Sequence, residues 1–204
     1  MLHRRIACIS LALCAACPAD STEAALPLAE ELVLASGAAS SADDPKDDAV
    51  SETDATLDRL TASYAFVGGE REHKSLLEAI ESVVGEMSVF VRGIARSRLV
   101  DSNKVPTKVV IRRDGSNITV SFDDRTYTAV LGGPPVTVKG STGDLLQLSY
   151  RLSGQRLVQD FRGERGGRVN TFFVDGNGHL RVDVQVHSPK LPKELRYRLS
   201  FKQA

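Results

Sequence analysis

The stretch GGRVNTFFVDGNGHLRVDVQVHS, residues 166–188, decides the fold class of this 204-residue chain. From Leu180 to His187 apolar and polar residues alternate, which is the period of a β-strand with one buried side. Asp175-Gly176-Asn177-Gly178 precedes this strand and is typical of a tight turn between antiparallel strands. The stretch therefore predicts a β-hairpin.

The same alternation runs from Val105 to the C-terminus. Further turns are predicted at Asp114-Gly115, Gly132–Pro135 and Ser153-Gly154, and a last strand is predicted in ELRYRLSFK, residues 194–202. Strands joined by such short turns, with one apolar and one charged side, form an antiparallel meander. About eight or nine of them would curl into a closed or nearly closed barrel with an apolar interior.

A helical segment precedes the strands. Residues 70–99 carry apolar side chains at the i, i+3, i+4 spacing of an amphipathic helix. Gly85 and Gly93 are costly inside a helix, so two packed helices and one long helix both fit the pattern. The predicted fold class is therefore mainly β, an antiparallel up-and-down β-barrel with an N-terminal helical segment.

This order of elements in residues 60–204, a lead segment, a helical pair and consecutive hairpins ending in a Tyr-containing strand, resembles the calycin superfamily. Within that superfamily it is similar to the fatty-acid-binding type. The resemblance implies a helix pair over one end of the barrel and a small hydrophobic ligand inside. The carboxylate-binding Arg-x-Tyr of that family has a partial match in Arg196-Tyr197-Arg198, where alternation puts both arginines opposite Tyr197. A half-barrel wrapped around helices, as in periplasmic lipid-carrier lipoproteins, is the alternative architecture.

The N-terminus has the layout of a secretory signal. A positive start, MLHRR, is followed by an apolar run that ends at Cys17 and is far shorter than the roughly 20 residues needed to span a membrane. Cys14-Ala15-Ala16-Cys17 resembles a bacterial lipoprotein signal, which implies cleavage after Ala16 and lipidation of Cys17. All three cysteines lie within residues 1–17, so an exported Cys17 has no disulfide partner in the body. We expect an exported envelope protein anchored by its lipid, most simply in the outer membrane, with plain secretion as the alternative.

The rest of the chain falls into two parts of opposite net charge. Residues 18–55 contain ten acidic residues and one Lys, whereas residues 57–204 contain 23 Lys and Arg against 16 Asp and Glu, a net charge of +7. A segment of low hydrophobicity and one-signed charge does not bury enough apolar surface to fold. The sequence thus predicts a signal peptide at 1–16, an acidic disordered linker at 17–56 and a helix-plus-barrel domain at 57–204.

Motifs for catalysis are absent from the sequence. It has no G-x-S-x-G elbow, no H-E-x-x-H, no phosphate-binding loop and no cysteine beyond Cys17. We therefore expect no enzyme, no cofactor and no metal site. No Arg-rich run or aromatic platform indicates a nucleic-acid partner.

The informative positions of an apolar barrel are its inward polar and aromatic residues. Those predicted to line a ligand site are Tyr150, Gln159, Phe161, Phe173 and Tyr197. The lead hypothesis is an envelope-anchored barrel that binds or shields a small hydrophobic ligand. The alternative is that these residues fill the core and that the barrel serves as a protein-interaction or structural module, since the interior at about eight strands is just large enough for one small ligand.

Overall fold

The computed structural model describes residues 45–140 and 143–204, so Cys17, the predicted signal peptide and most of the predicted linker lie outside the described residues. Within them the chain forms three helices and ten strands. The helices are α1 Pro45–Leu60, α2 Gly69–Gly85 and α3 Val89–Ser102. The strands are β1 Ser63–Phe66, β2 Lys108–Asp114, β3 Asn117–Phe122, β4 Arg125–Val130, β5 Val136–Lys139, β6 Leu145–Ser153, β7 Arg156–Gly163, β8 Gly166–Val174, β9 Leu180–His187 and β10 Leu195–Gln203.

The strands form a single antiparallel sheet in the order β4-β3-β2-β1-β10-β9-β8-β7-β6-β5. Its two edges approach each other where the chain leaves β4, because Leu131 bridges Tyr150 and the Gly132 N–H donates to the Tyr150 carbonyl at 2.8 Å. The result is a nearly closed up-and-down barrel. The predicted fold class is confirmed, and the hairpin of residues 166–188 pairs Val174 with Leu180 across the expected turn.

The helical segment consists of two helices. The guanidinium of Arg92, in α3, donates to the carbonyls of Val84, Gly85 and Met87 at 2.8–3.1 Å. These contacts connect the first turn of α3 to carbonyls at and just beyond the C-terminus of α2. Because Gly85 is the last residue of α2, only Gly93 lies in a helix interior.

Opposite ends of the barrel carry different helices. The α2 and α3 pair connects the end of β1 to the start of β2, and we call this the helix-covered end. Helix α1 precedes β1 and lies at the other end, which we call the α1 end, where Asp54 pairs with Arg113 of β2 at 2.5 Å. Buried residues of α1, α2 and the barrel strands belong to one hydrophobic core. None of the helices in the described ranges combines the length and hydropathy that crossing a membrane requires.

The predicted boundary between residues 56 and 57 falls inside α1. Leu57 and Leu60 are 2% and 1% exposed, and Thr56 is also buried. The Tyr64 hydroxyl, at the start of β1, donates to the Leu60 carbonyl at 3.0 Å. The C-terminal turns of α1 are therefore part of the folded domain, in which the acidic Asp54 is neutralised by Arg113.

Candidate functional site

Hydrogen-bonded side chains run through the barrel interior. The Tyr150 hydroxyl donates to the Tyr127 carbonyl at 3.0 Å and accepts from Gln159 Nε2 at 2.7 Å. Gln159 Oε1 in turn accepts from Asn170 Nδ2 at 2.8 Å. Tyr150, Gln159 and Asn170 are direct register neighbours on β6, β7 and β8, so strand pairing aligns them on the inner side.

Arg168 continues this set toward the helix-covered end. Its Nε donates to Asn170 Oδ1 at 2.8 Å, and its two terminal nitrogens lie 3.1 Å from the Tyr197 hydroxyl and 3.4 Å from Asn103 Oδ1. The Tyr197 hydroxyl donates to the same Asn103 oxygen at 3.1 Å. Asn103 directly follows α3, and its Nδ2 donates to the Leu99 carbonyl at 2.8 Å. We call Tyr150, Gln159, Asn170, Arg168, Tyr197 and Asn103 the interior polar chain.

The charge of Arg168 is not matched by a carboxylate. Its three partners are neutral groups, and no ion pair in residues 45–140 and 143–204 includes its guanidinium. A partly buried charge is costly unless it is paired or well hydrogen-bonded. Neutral acceptors meet that need only in part, which leaves Arg168 as a cation suited to an anion at this end of the barrel.

Tyr150 and Tyr197, the two tyrosines of the interior polar chain, are held in the neutral form. Burial raises the pKa of Tyr150 well above the ordinary tyrosine value, and the hydrogen bond from Gln159 opposes the rise. Burial also raises the pKa of Tyr197, and the charge and hydrogen bond of Arg168 oppose it. Both hydroxyls are therefore protonated donors near neutral pH.

Four of the five predicted site residues line the interior. Tyr150, Gln159, Phe161 and Tyr197 are buried and share the inner side of the barrel. The Phe161 ring packs edge-on against Tyr127, with ring centroids 4.9 Å apart. Tyr150, Gln159 and Tyr197 are joined through the interior polar chain, whereas Phe161 contributes apolar surface beside it.

Phe173 does not line the interior, and the prediction that it does is wrong. Its ring is on the outer side, beneath the guanidinium carbons of Arg156 and Arg198 at 4.6 and 5.7 Å from the ring centre. Neighbouring residues of a strand point to opposite sides, so the adjacent Phe172 and Phe173 do not share one. Phe172 is fully buried and takes the inner position.

Sequence reasoning missed three residues of the interior polar chain, Asn170, Arg168 and Asn103. Arg168 precedes Asn170 by two positions on β8 and Phe172 by four, so these three residues share one side, which strand pairing makes the inner one. With Phe173 taken as inward, alternation puts Arg168 and Asn170 on the outer side, so the wrong assignment of Phe173 hid both residues. Asn103 gave no signal, because it reaches Tyr197 only through the path of the chain after α3.

The described residues contain no group of three or more His, Cys, Asp or Glu side chains able to hold a metal ion. Two depressions of about 210 and 290 Å³ open on the outer surface. The larger is at the junction of β4 and β6, between Gly132 and Arg162, and the smaller is at the α1 end. The interior polar chain itself offers hydrogen-bond donors and one partly buried cation, Arg168.

No protein-family model matches the chain, and no curated protein sequence matches it. Among solved structures, the REP1-NXSQ fatty acid transporter is 14% identical, covers 71% of this chain and 96% of its own, and gives a TM-score of 0.46. Lipid binding protein 8 of Caenorhabditis elegans is 10% identical over 72% and 96% of the two chains, also with a TM-score of 0.46. The fluorescent protein UnaG is 12% identical over 72% and 99%, again with 0.46. The first two neighbours are named for fatty acid transport and lipid binding and the third for fluorescence, and likeness at this level carries no argument about function.

Proposed function

We propose that the barrel binds a small amphiphile with an anionic head group, and that Arg168, Tyr197 and Asn103 hold the head. The observation that carries this proposal is the partly buried guanidinium of Arg168, which donates only to the neutral oxygens of Asn170, Tyr197 and Asn103. A carboxylate or phosphate would supply the missing negative charge. Guanidinium groups bind such oxyanions with two parallel hydrogen bonds.

The surroundings of Arg168 suit a ligand that is polar at one end and apolar at the other. Tyr197 is a neutral donor beside the guanidinium, and Asn103 adds a polar group from the end of α3. On the adjoining strands Arg168 is opposite Phe161 and Val186. An apolar tail directed away from the head group would enter the core, whose side chains must repack to admit it.

The test compares two probes that differ only in the head group, dodecanoate and dodecanol. Calorimetric titration of the wild-type chain should give roughly tenfold or more tighter binding of dodecanoate, since a hydrogen bond to a charged group contributes about 1.5–3 kcal/mol. Arg168→Gln should abolish this preference and leave dodecanol binding unchanged. The matched control Arg196→Gln, an outward arginine paired with Glu194, should keep it. Equal affinity for the two probes in the wild type, or a preference that survives Arg168→Gln, contradicts the proposal.

A second candidate, a filled barrel acting as a protein-interaction module, rests on the surface of α3. Val89, Phe90 and Ile94 are 70%, 90% and 60% exposed, whereas Leu99 is the only buried residue of that helix. The same titrations separate the candidates. Failure of both probes to bind, together with purified protein free of any apolar guest by mass spectrometry, favours the filled barrel.

We also propose that the protein is exported and anchored to the bacterial envelope through lipidated Cys17. The support is the near-match Cys14-Ala15-Ala16-Cys17 together with the lack of any cysteine after Cys17. Intact mass spectrometry of the membrane fraction should show a chain that begins at Cys17 and carries two or three acyl chains. Cys17→Ser should remove that species, with Cys8→Ser, outside the Cys14–Cys17 motif, as the matched control. An unmodified mature chain in the soluble fraction contradicts the anchor and leaves the ligand proposal untouched.

A further inference from the structure

The depression at the α1 end is a pocket of about 210 Å³ formed by three parts of the chain. Helix α1 supplies Thr56, Arg59 and Leu60, the turn and start of β7 supply Gln155 and Arg156, and β8 supplies Phe173 and Val174. We call it the α1 pocket. It is on the outer side of the barrel, as the outward Phe173 shows, and is separate from the interior polar chain.

The α1 pocket has two arginines without an acidic partner. Arg59 donates to Gln155 Oε1 at 3.4 Å, and Arg156 stacks over Phe173. Neither is in an ion pair within the described part of the chain. The nearby carboxylates of Asp54 and Asp58 lie 2.5 and 3.8 Å from the guanidinium of Arg113 instead. The α1 pocket thus carries an excess of positive charge.

Stacking on the Phe173 ring orients the Arg156 guanidinium so that it can bind an oxyanion. A guanidinium that lies over an aromatic ring uses its face for the ring and keeps its N–H edge for hydrogen bonds. Arg198 is 5.7 Å from the same ring but is neutralised by Asp183, so Arg156 is the free donor of the pair. Arg59 faces the same pocket from α1.

We propose that the α1 pocket binds the phosphate or carboxylate group of a small compound between Arg59 and Arg156. Its volume of about 210 Å³ accommodates such a group with a few attached atoms. Gln155 and Thr56 provide polar contacts at the rim and floor. The site is independent of any ligand in the barrel interior.

The test is a titration of the full ¹⁵N-labelled chain with inorganic phosphate, followed by NMR. The side-chain amide of Gln155 and the Nε–H signals of Arg59 and Arg156 should shift together with one dissociation constant. Arg59→Gln combined with Arg156→Gln should raise that constant at least tenfold. The control, Arg71→Gln combined with Arg125→Gln, changes two exposed arginines that do not line the α1 pocket and should leave it unchanged.

A third variant tests the stacking. Phe173→Leu should weaken phosphate binding severalfold with both arginines present, because Arg156 loses the ring that orients it. Phosphatidylcholine vesicles with and without phosphatidic acid distinguish the source of the oxyanion. Vesicle binding that needs both phosphatidic acid and the two arginines identifies a lipid head group, whereas phosphate binding alone identifies a soluble compound. Phosphate affinity that is equal in the wild type and the Arg59, Arg156 double variant overturns the site.

Discussion

The carboxylate of Glu72 accepts the backbone N–H of Ser200 at 2.7 Å and also the Ser200 hydroxyl. Glu72 is in the first turn of α2, and Ser200 is in β10. The last register pair of β1 and β10 is Phe66 with Phe201; beyond it the Val67 N–H donates to the Ser200 carbonyl at 2.9 Å, but the Ser200 N–H has no acceptor on this segment. Glu72 therefore satisfies a strand donor that β1 is too short to reach, and one carboxylate connects the helix pair to the barrel.

Replacing this carboxylate should destabilise the whole domain. Glu72→Ala leaves the buried Ser200 N–H without an acceptor, and we expect a loss of about 2–4 kcal/mol in the free energy of unfolding. Glu72→Gln retains one acceptor oxygen and should lose less. Urea denaturation measures both, with the exposed neighbour Glu70→Ala as the control. A Glu72→Ala variant as stable as the Glu70→Ala variant would show that the connection contributes nothing.

The stability of the barrel should depend on Gln159, a central member of the interior polar chain. Gln159→Leu deprives the Tyr150 hydroxyl of a donor and Asn170 Nδ2 of an acceptor inside the barrel, so we expect about 2–4 kcal/mol of destabilisation. Gln147→Leu removes an exposed hydrogen bond to Thr137 on β5 and should change stability by less than about 0.5 kcal/mol. Thermal and urea unfolding give both values. A loss no larger than that of the Gln147 variant would mean that the interior hydrogen bonds are replaced by water.

Stability should fall in alkaline solution because of the buried tyrosines. Burial raises the pKa of Tyr64, Tyr150 and Tyr197, so each hydroxyl holds its proton more tightly in the folded state than in the unfolded state. Their contribution is complete below the unfolded pKa of about 10 and is lost as the pH rises from there through the folded value. Each such tyrosine steepens the decline by up to about 1.4 kcal/mol per pH unit.

Urea unfolding between about pH 8.5 and 11.5 measures this slope, since the unfolded tyrosine pKa of about 10 lies inside that range. Tyr150→Phe lowers stability at neutral pH, because its hydrogen bonds are lost, but should make the alkaline decline shallower. Gln147→Leu, which removes an exposed hydrogen bond and leaves every tyrosine in place, is the control and should keep the wild-type slope. Parallel slopes for all three proteins would rule out the buried tyrosines as the cause.

The alternation of apolar and polar residues, together with the turn residues, predicted most of the fold. The period of two located the strands from Val105 onward, and Asp175-Gly176-Asn177-Gly178 located the hairpin that Val174 and Leu180 close. Both signals are local, so they are present in the sequence itself. The same alternation placed Tyr150, Gln159, Phe161 and Tyr197 correctly on the inner side of the barrel.

The features that the sequence did not predict depend on contacts between residues that are distant along the chain. Phe172 and Phe173 are equally apolar, and only the pairing of β8 with both neighbours decides which one faces inward. Asn103 meets Tyr197 across 94 positions of sequence separation. The C-terminal turns of α1 resemble the acidic segment before them in composition, and Leu57 and Leu60 become core residues only once the barrel exists to bury them.

The place of α1 in the domain can be tested at Leu60. This residue is 1% exposed and packs into the core at the α1 end, so Leu60→Ala should cost about 2–5 kcal/mol through lost burial and the cavity left behind. Leu145→Ala, at a site that is 72% exposed, is the control of the same chemistry and should cost less than about 1 kcal/mol. Urea unfolding of the full chain compares the two variants. Equal stability of the Leu60→Ala and Leu145→Ala variants would mean that α1 is not part of the folded domain. Thr56 and Arg59 would then not line the α1 pocket.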